Sequence, residues 1–82
     1  MNKKKILQSI LNNSKNIRFS DALSLAKAFG FKLDRISGSH HILKHPNTIN
    51  LLNLQNVNGK AKPYQLKQLI KMIEHFNLKM EK

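Results

Sequence analysis

The 82-residue chain contains no cysteine. This excludes a disulfide framework, thiolate chemistry and any cysteine-based zinc site. Acidic side chains are scarce as well: four Asp/Glu stand against fifteen Lys/Arg, for a formal net charge of +11. The paired carboxylates of glycosidases and two-metal nucleases are therefore nearly absent. No apolar run approaches the roughly 18 residues of a membrane span. The basic start Met1-Asn2-Lys3-Lys4-Lys5 leads into Ile6 to Asn13, which is broken by polar residues and lacks a small-residue cleavage site. Neither a phosphate-cradling glycine loop nor a dinucleotide fingerprint occurs. Apolar residues make up 40%, enough for a modest core and too many for a disordered basic tail. The expectation is one soluble, cytoplasmic, basic domain over residues 1–82. Its charge suits a partner of opposite sign: nucleic acid, an anionic membrane face or an acidic protein.

Periodicity organises the chain. Ile6, Leu7, Ile10 and Leu11 form one helical stripe between Asn2 and about Asn12. Asn12 to Asn16 reads as a connector. Ser20 and Asp21 suit a helix start, and Ala22, Leu25, Ala26 and Phe29 follow at helical spacing. Gly30 suits the left-handed position after the last turn, so the spacing predicts a helix over 21–29. From Phe31 the period becomes two, with turn signals at Ser37-Gly38 and Pro46-Asn47. Strands are expected from Phe31, over Ser39 to His45, and over Thr48 to Leu54. The adjacent Leu51 and Leu52 leave the buried face of the third strand open. Gln55 to Lys62 reads as a polar loop bending at Gly59. Pro63 suits the first turn of a final helix, whose apolar stripe is Leu66, Leu69, Ile70, Ile73 and Phe76. The order implies an α+β fold: three antiparallel strands covered on one face by helices, with an extra helix at the N-terminus.

Three of the four histidines lie in Gly38-Ser39-His40-His41-Ile42-Leu43-Lys44-His45-Pro46. On a strand His41 and His45 share a face but stand about 13 Å apart, too far to chelate one ion. His40 points to the other face, so neither a metal site nor a cofactor is expected. Ser39 and His40 are neighbours in sequence and point apart, which leaves no nucleophilic triad. Histidine and cations can still support RNA cleavage. The 2′-hydroxyl attacks its own phosphate, one proton must leave, and another must reach the departing 5′-oxygen. A cation beside the histidine stabilises the phosphoryl oxygens. A turn with Ser37-Gly38 at its centre would set Arg35 across from His40. The bland alternatives are that the lysines are solvated charge and that Phe19 and Phe31 are core, while Tyr64 is free to stack on a base. From these residues alone the chain is a basic α+β domain that binds RNA or DNA.

Arg35-Ile36-Ser37-Gly38-Ser39-His40-His41-Ile42 follows a helix that ends in Gly30-Phe31. With Asn53-Leu54-Gln55-Asn56 and Lys60-Ala61-Lys62-Pro63-Tyr64-Gln65, it resembles the HicA family of toxins from bacterial toxin–antitoxin pairs, over roughly residues 17–78. The resemblance implies a double-stranded-RNA-binding-like α-β-β-β-α fold and an endoribonuclease that cleaves mRNA. It implies His40 as the catalytic histidine, presented by the turn at Gly38 and Ser39, and a HicB-type antitoxin as partner. Arg35, Lys44, Lys60 and Lys62 are the candidate RNA contacts. The chain departs from short members in having Leu54-Gln55-Asn56-Val57-Asn58 where they carry a Pro-x-His segment after the third strand, and in its extension over residues 1–16. A non-catalytic RNA-binding module on the same scaffold is the alternative. A third reading, a membrane-surface peptide, would use Lys3–Lys5 and the Ile6/Leu7/Ile10/Leu11 stripe.

Overall fold

The computed structural model describes residues 3–80. Along the chain run α1 (Lys3–Asn12), α2 (Phe19–Ala28), β1 (Lys32–Ser37), β2 (His40–His45), β3 (Thr48–Val57), β4 (Lys60–Ala61) and α3 (Pro63–His75). Asn2, where the periodicity starts the first helix, lies outside the described residues. The strands form one antiparallel sheet in the order β1-β2-β3-β4. Leu43, Leu52 and Leu54 line its inner face and join Leu25, Leu66 and Leu69 of the helices in one buried cluster. This is the α+β arrangement expected, with the extra N-terminal helix in place.

At ten residues α1 is too short to persist in water on its own. Ile6 and Ile10 are buried in the common core, and each such burial contributes about 1.5–3 kcal/mol. Those residues are therefore not free to enter a membrane surface, and of the stripe only Leu11 is largely exposed. Among the described residues no helix is long and apolar enough to cross a membrane.

The second helix begins at Phe19, two residues before its expected start, with Arg18 as N-cap and no side-chain cap. Tertiary structure takes the place of the cap. The N–H of Phe19 donates to the Gly59 carbonyl, Arg18 bridges to Lys60, and Phe19 is buried. At the other end Gly30 has φ +94°. The Phe31 N–H reaches the Ala26 carbonyl and the Gly30 N–H that of Lys27, the paired bonds of a Schellman ending. The last helix ends alike: Asn77 is left-handed, and Leu78 bonds back to Ile73 while its side chain returns to the core.

The third strand runs three residues beyond its expected end, and the supposed loop is a hairpin. Asn58 and Gly59 both have positive φ, the requirement of a tight two-residue hairpin turn that Asn-Gly meets best. The sheet thereby gains β4, whose far edge is taken by the Arg18–Lys60 bridge. This leaves β1 as the free edge. Its register against β2 shifts between Leu33 and Arg35, so Asp34 stands out of the ladder as a bulge.

His45 is buried and belongs to the core. Its Nε2 donates to the Phe29 carbonyl at 2.9 Å, while Nδ1 accepts the Asn47 N–H at 3.0 Å. One ring thus ties the end of α2 to the β2–β3 turn, and its edge meets Phe31. His45→Ala is expected to lose about 2–3 kcal/mol of stability, since two backbone groups lose their partner and a cavity opens. Urea unfolding measures this; a change within about 0.5 kcal/mol, the range of an ordinary surface substitution, would contradict this structural role.

Candidate functional site

Period-two alternation gives β2 two unlike faces. His41, Leu43 and His45 point inward; His40, Ile42 and Lys44 point to the face that no helix covers. The register decides this. Gly38, at φ +59°, takes the first central position of the turn and Ser39 the second, so Ser37 pairs with His40. The arrangement is that of a glycine-led hairpin turn. Space is not the reason for glycine, because a Cβ at Gly38 would meet nothing within 4 Å; the backbone conformation is.

This turn lies one residue later than the Ser37-Gly38 centre considered from the sequence. Arg35 therefore pairs with Ile42 and does not face His40. Its guanidinium is held at 2.8 Å by Asp34, whose other oxygen takes Lys44 at 3.4 Å. Lys44 lies about 13 Å along the strand from His40, four residues at roughly 3.3 Å each. Arg35 and Lys44 form one group on the open face, and His40 stands apart from it. Lys60 pairs with Val57 and donates to the Asn16 side chain at 2.9 Å, while Lys62 caps α3. The four candidate cations thus flank the sheet from two sides. Asp34 is the one carboxylate on the strands.

Polar groups gather at His40, and of these the sequence assigned a site role to Ser39 alone. Its Nδ1 lies 3.1 Å from the Asn53 side-chain oxygen. Asn53 is the diagonal neighbour on β3, since His40 pairs with Gln55 and Ile42 with Asn53. Gln55, directly opposite, instead donates to the Ser39 hydroxyl at 3.3 Å. Its backbone N–H donates to the buried Gln65 of α3 at 2.6 Å. Where β4 ends, the Gln65 side chain takes over as acceptor for the β3 ladder. The turn, the histidine, β3 and α3 are therefore joined through Ser39, Asn53, Gln55 and Gln65. Asn53 could have been found only from the β2–β3 register, which depends on two turns being placed without error.

The remaining histidines are elsewhere. His41 packs its ring on Phe19 at 4.7 Å, and its Nδ1 is buried without a partner. His75 stacks edge-on against Phe76 at the end of α3. Among the described residues no three His, Asp or Glu form a cluster able to hold a metal ion. Phe19 and Phe31 are core, whereas Tyr64 is 76% exposed beside Lys67 and Lys71 on the outer face of α3.

A family model described as the HicA toxin of bacterial toxin-antitoxin matches residues 19–74. No curated protein and no solved structure matches the chain. The match spans α2, the whole sheet and nearly all of α3, and leaves α1 outside.

The hydrogen bond from α3 to β3 carries its own expectation. Gln65→Ala removes the acceptor of the Gln55 N–H and should cost about 1–2 kcal/mol. Amide exchange at Gln55 should speed up relative to Leu54. An unchanged rate at Gln55 would show that the bond contributes nothing there.

Proposed function

The chain belongs to the HicA toxin family and is the toxin of a toxin–antitoxin system, and from that premise we propose that its open sheet face is a ribonuclease site with His40 as general acid–base. One observation carries this reading. His40 is the one imidazole on the open face, with Nδ1 tethered to Asn53 and Nε2 without a protein partner among the described residues. A nitrogen held in place and open to solvent is what a proton carrier needs.

In the proposed reaction RNA lies across β2 and β3. Nε2 takes the proton of the 2′-hydroxyl as its oxygen attacks the adjacent phosphorus. The bond from phosphorus to the 5′-oxygen breaks, and that oxygen departs with the proton Nε2 gives back, leaving a 2′,3′-cyclic phosphate. Attack by the RNA's own 2′-hydroxyl needs no metal-activated water, and the proposed reaction is metal-independent. Ser39 and Gln55 stand beside His40 and are placed to hold the phosphate nearest to it. Arg35 and Lys44 on one side, and Lys60 and Lys62 on the other, bind neighbouring phosphates. The antitoxin is of the HicB type and inhibits by covering this face with acidic side chains, which compete with phosphates for the same cations.

His40→Ala should lower cleavage of a defined RNA by roughly a hundred- to ten-thousand-fold while the protein stays folded. Retention of cleavage would remove His40 from the mechanism. Wild type should keep its activity in EDTA, and inhibition reversed by an added metal would contradict the metal-free route. If wild type binds RNA and leaves it intact, the chain is a binding module.

Binding by His40→Ala protein should weaken steeply with salt, because lysines on phosphates displace condensed counterions. Lys44→Ala or Lys60→Ala should flatten that slope, whereas Lys79→Ala should not. A slope indifferent to the sheet lysines would place the RNA on another surface.

A further inference from the structure

We infer that Asn53 is a positioning residue which sets the tautomer of His40 and so selects Nε2 as the nitrogen that meets the substrate. The inference rests on the reading of His40 as the proton carrier. An amide oxygen only accepts, so the ring nitrogen 3.1 Å from Asn53 Oδ1 must carry a hydrogen. A neutral imidazole has one N–H, and with it on Nδ1 the lone pair sits on Nε2. A free histidine side chain favours the opposite tautomer, with the hydrogen on Nε2. That tautomer has no lone pair where the 2′-hydroxyl arrives and cannot act as base there. Asn53 therefore does for this imidazole what a buried carboxylate does in a hydrolase triad, without adding a negative charge.

The surroundings fit this role. Asn53 is half-buried on β3, which has a neighbouring strand on either side. The other polar side chain within reach, Gln55, is engaged with Ser39 and does not compete for Nδ1. No other imidazole faces the sheet's open side, and Asp34, the one strand carboxylate, is occupied by Arg35 and Lys44. After Nε2 takes its proton, the imidazolium keeps Nδ1–H on Asn53 and gives the proton on Nε2 to the departing 5′-oxygen. The same edge of the ring faces substrate in both steps. An amide in place of a carboxylate also leaves the open face without a second negative charge, which would repel the RNA backbone.

The test reads the tautomer directly and then its effect on rate. Long-range proton–nitrogen correlation spectra of the full chain should show hydrogen on Nδ1 of neutral His40. In Asn53→Ala the hydrogen should move to Nε2, and single-turnover cleavage should fall by roughly 10- to 100-fold, taking as guide the loss seen when a metal-binding imidazole loses the partner of its other nitrogen, with RNA affinity retained. Asn53→Asp keeps an acceptor, so it should keep the wild-type tautomer. Its added negative charge favours the imidazolium, so the acidic limb of the rate profile should move to higher pH. Hydrogen on Nε2 in wild type, or Asn53→Ala protein that cleaves at the wild-type rate, would overturn the role of Asn53. If His40→Ala also cleaved normally, the assignment of His40 itself would fall, so the two failures are told apart.

Discussion

The Gly38-Ser39 turn sets Ser37 opposite His40, and the character of both sheet faces depends on that one pairing. Side chains alternate along a strand with a period of two, so a slip of one residue would exchange the faces of β2. His40 and Lys44 would then enter the core, and Leu43 would meet water. The register is over-determined: glycine supplies the positive φ at one end of β2, Pro46-Asn47 closes the other, and Leu43 and His45 are buried between them. Three histidines in six residues thereby acquire three different situations from geometry alone. His40 faces solvent, His41 lies against an aromatic ring, and His45 serves as a two-way hydrogen-bonding post.

Much of this was legible in the residues. Helical spacing located all three helices, Gly30 marked the end of the second, and the opposite facing of His40 and His41 followed from strand geometry. The failures share a physical cause, which is that local preference yields to distant partners. Ser20 is a better cap than Arg18 in isolation, yet the Gly59 carbonyl already satisfies the first N–H of the helix, and Phe19 gains burial by joining it. Asn58-Gly59 was a hairpin signal hidden in a polar stretch, because β4 is only two residues long and carries no pattern of its own. The site was half legible. His40 stands out by motif, whereas Asn53 meets it across thirteen residues and Gln65 supports it only through Gln55, ten residues away. Arg35 was set opposite His40 by a turn displaced by one position.

The core and the open face make unequal demands on this chain. Its inner side is closed by both Schellman endings, in which Phe31 and Leu78 turn back to cover the helix ends they terminate. A small domain cannot leave such ends frayed without losing a large share of its core. The outer side of the sheet is mixed, with the cations Arg35 and Lys44 and a polar group at His40 beside the exposed apolar Leu51 and Val57. Ser39, His40, Asn53 and Gln55 are only partly covered, and their order comes from bonds to one another and to Gln65. Rigidity at the histidine is thus supplied from the helix side, through β3, and leaves the solvent side unobstructed.

The bulge at Asp34 has a consequence for the chain in a crowded cell. A sheet with a free edge can recruit the edge of another molecule, and repetition of that step builds fibres. Here one edge is closed by the protein's own Arg18–Lys60 bridge, so growth could proceed only along β1. There the ladder is interrupted in its middle, and Lys32, Asp34 and Arg35 surround the break. An incoming strand would find neither a continuous row of hydrogen-bonding groups nor a neutral surface. For a strongly basic molecule that must meet polyanions, which concentrate it locally, a defence against self-templated polymerisation is built into the same strand that begins the hairpin.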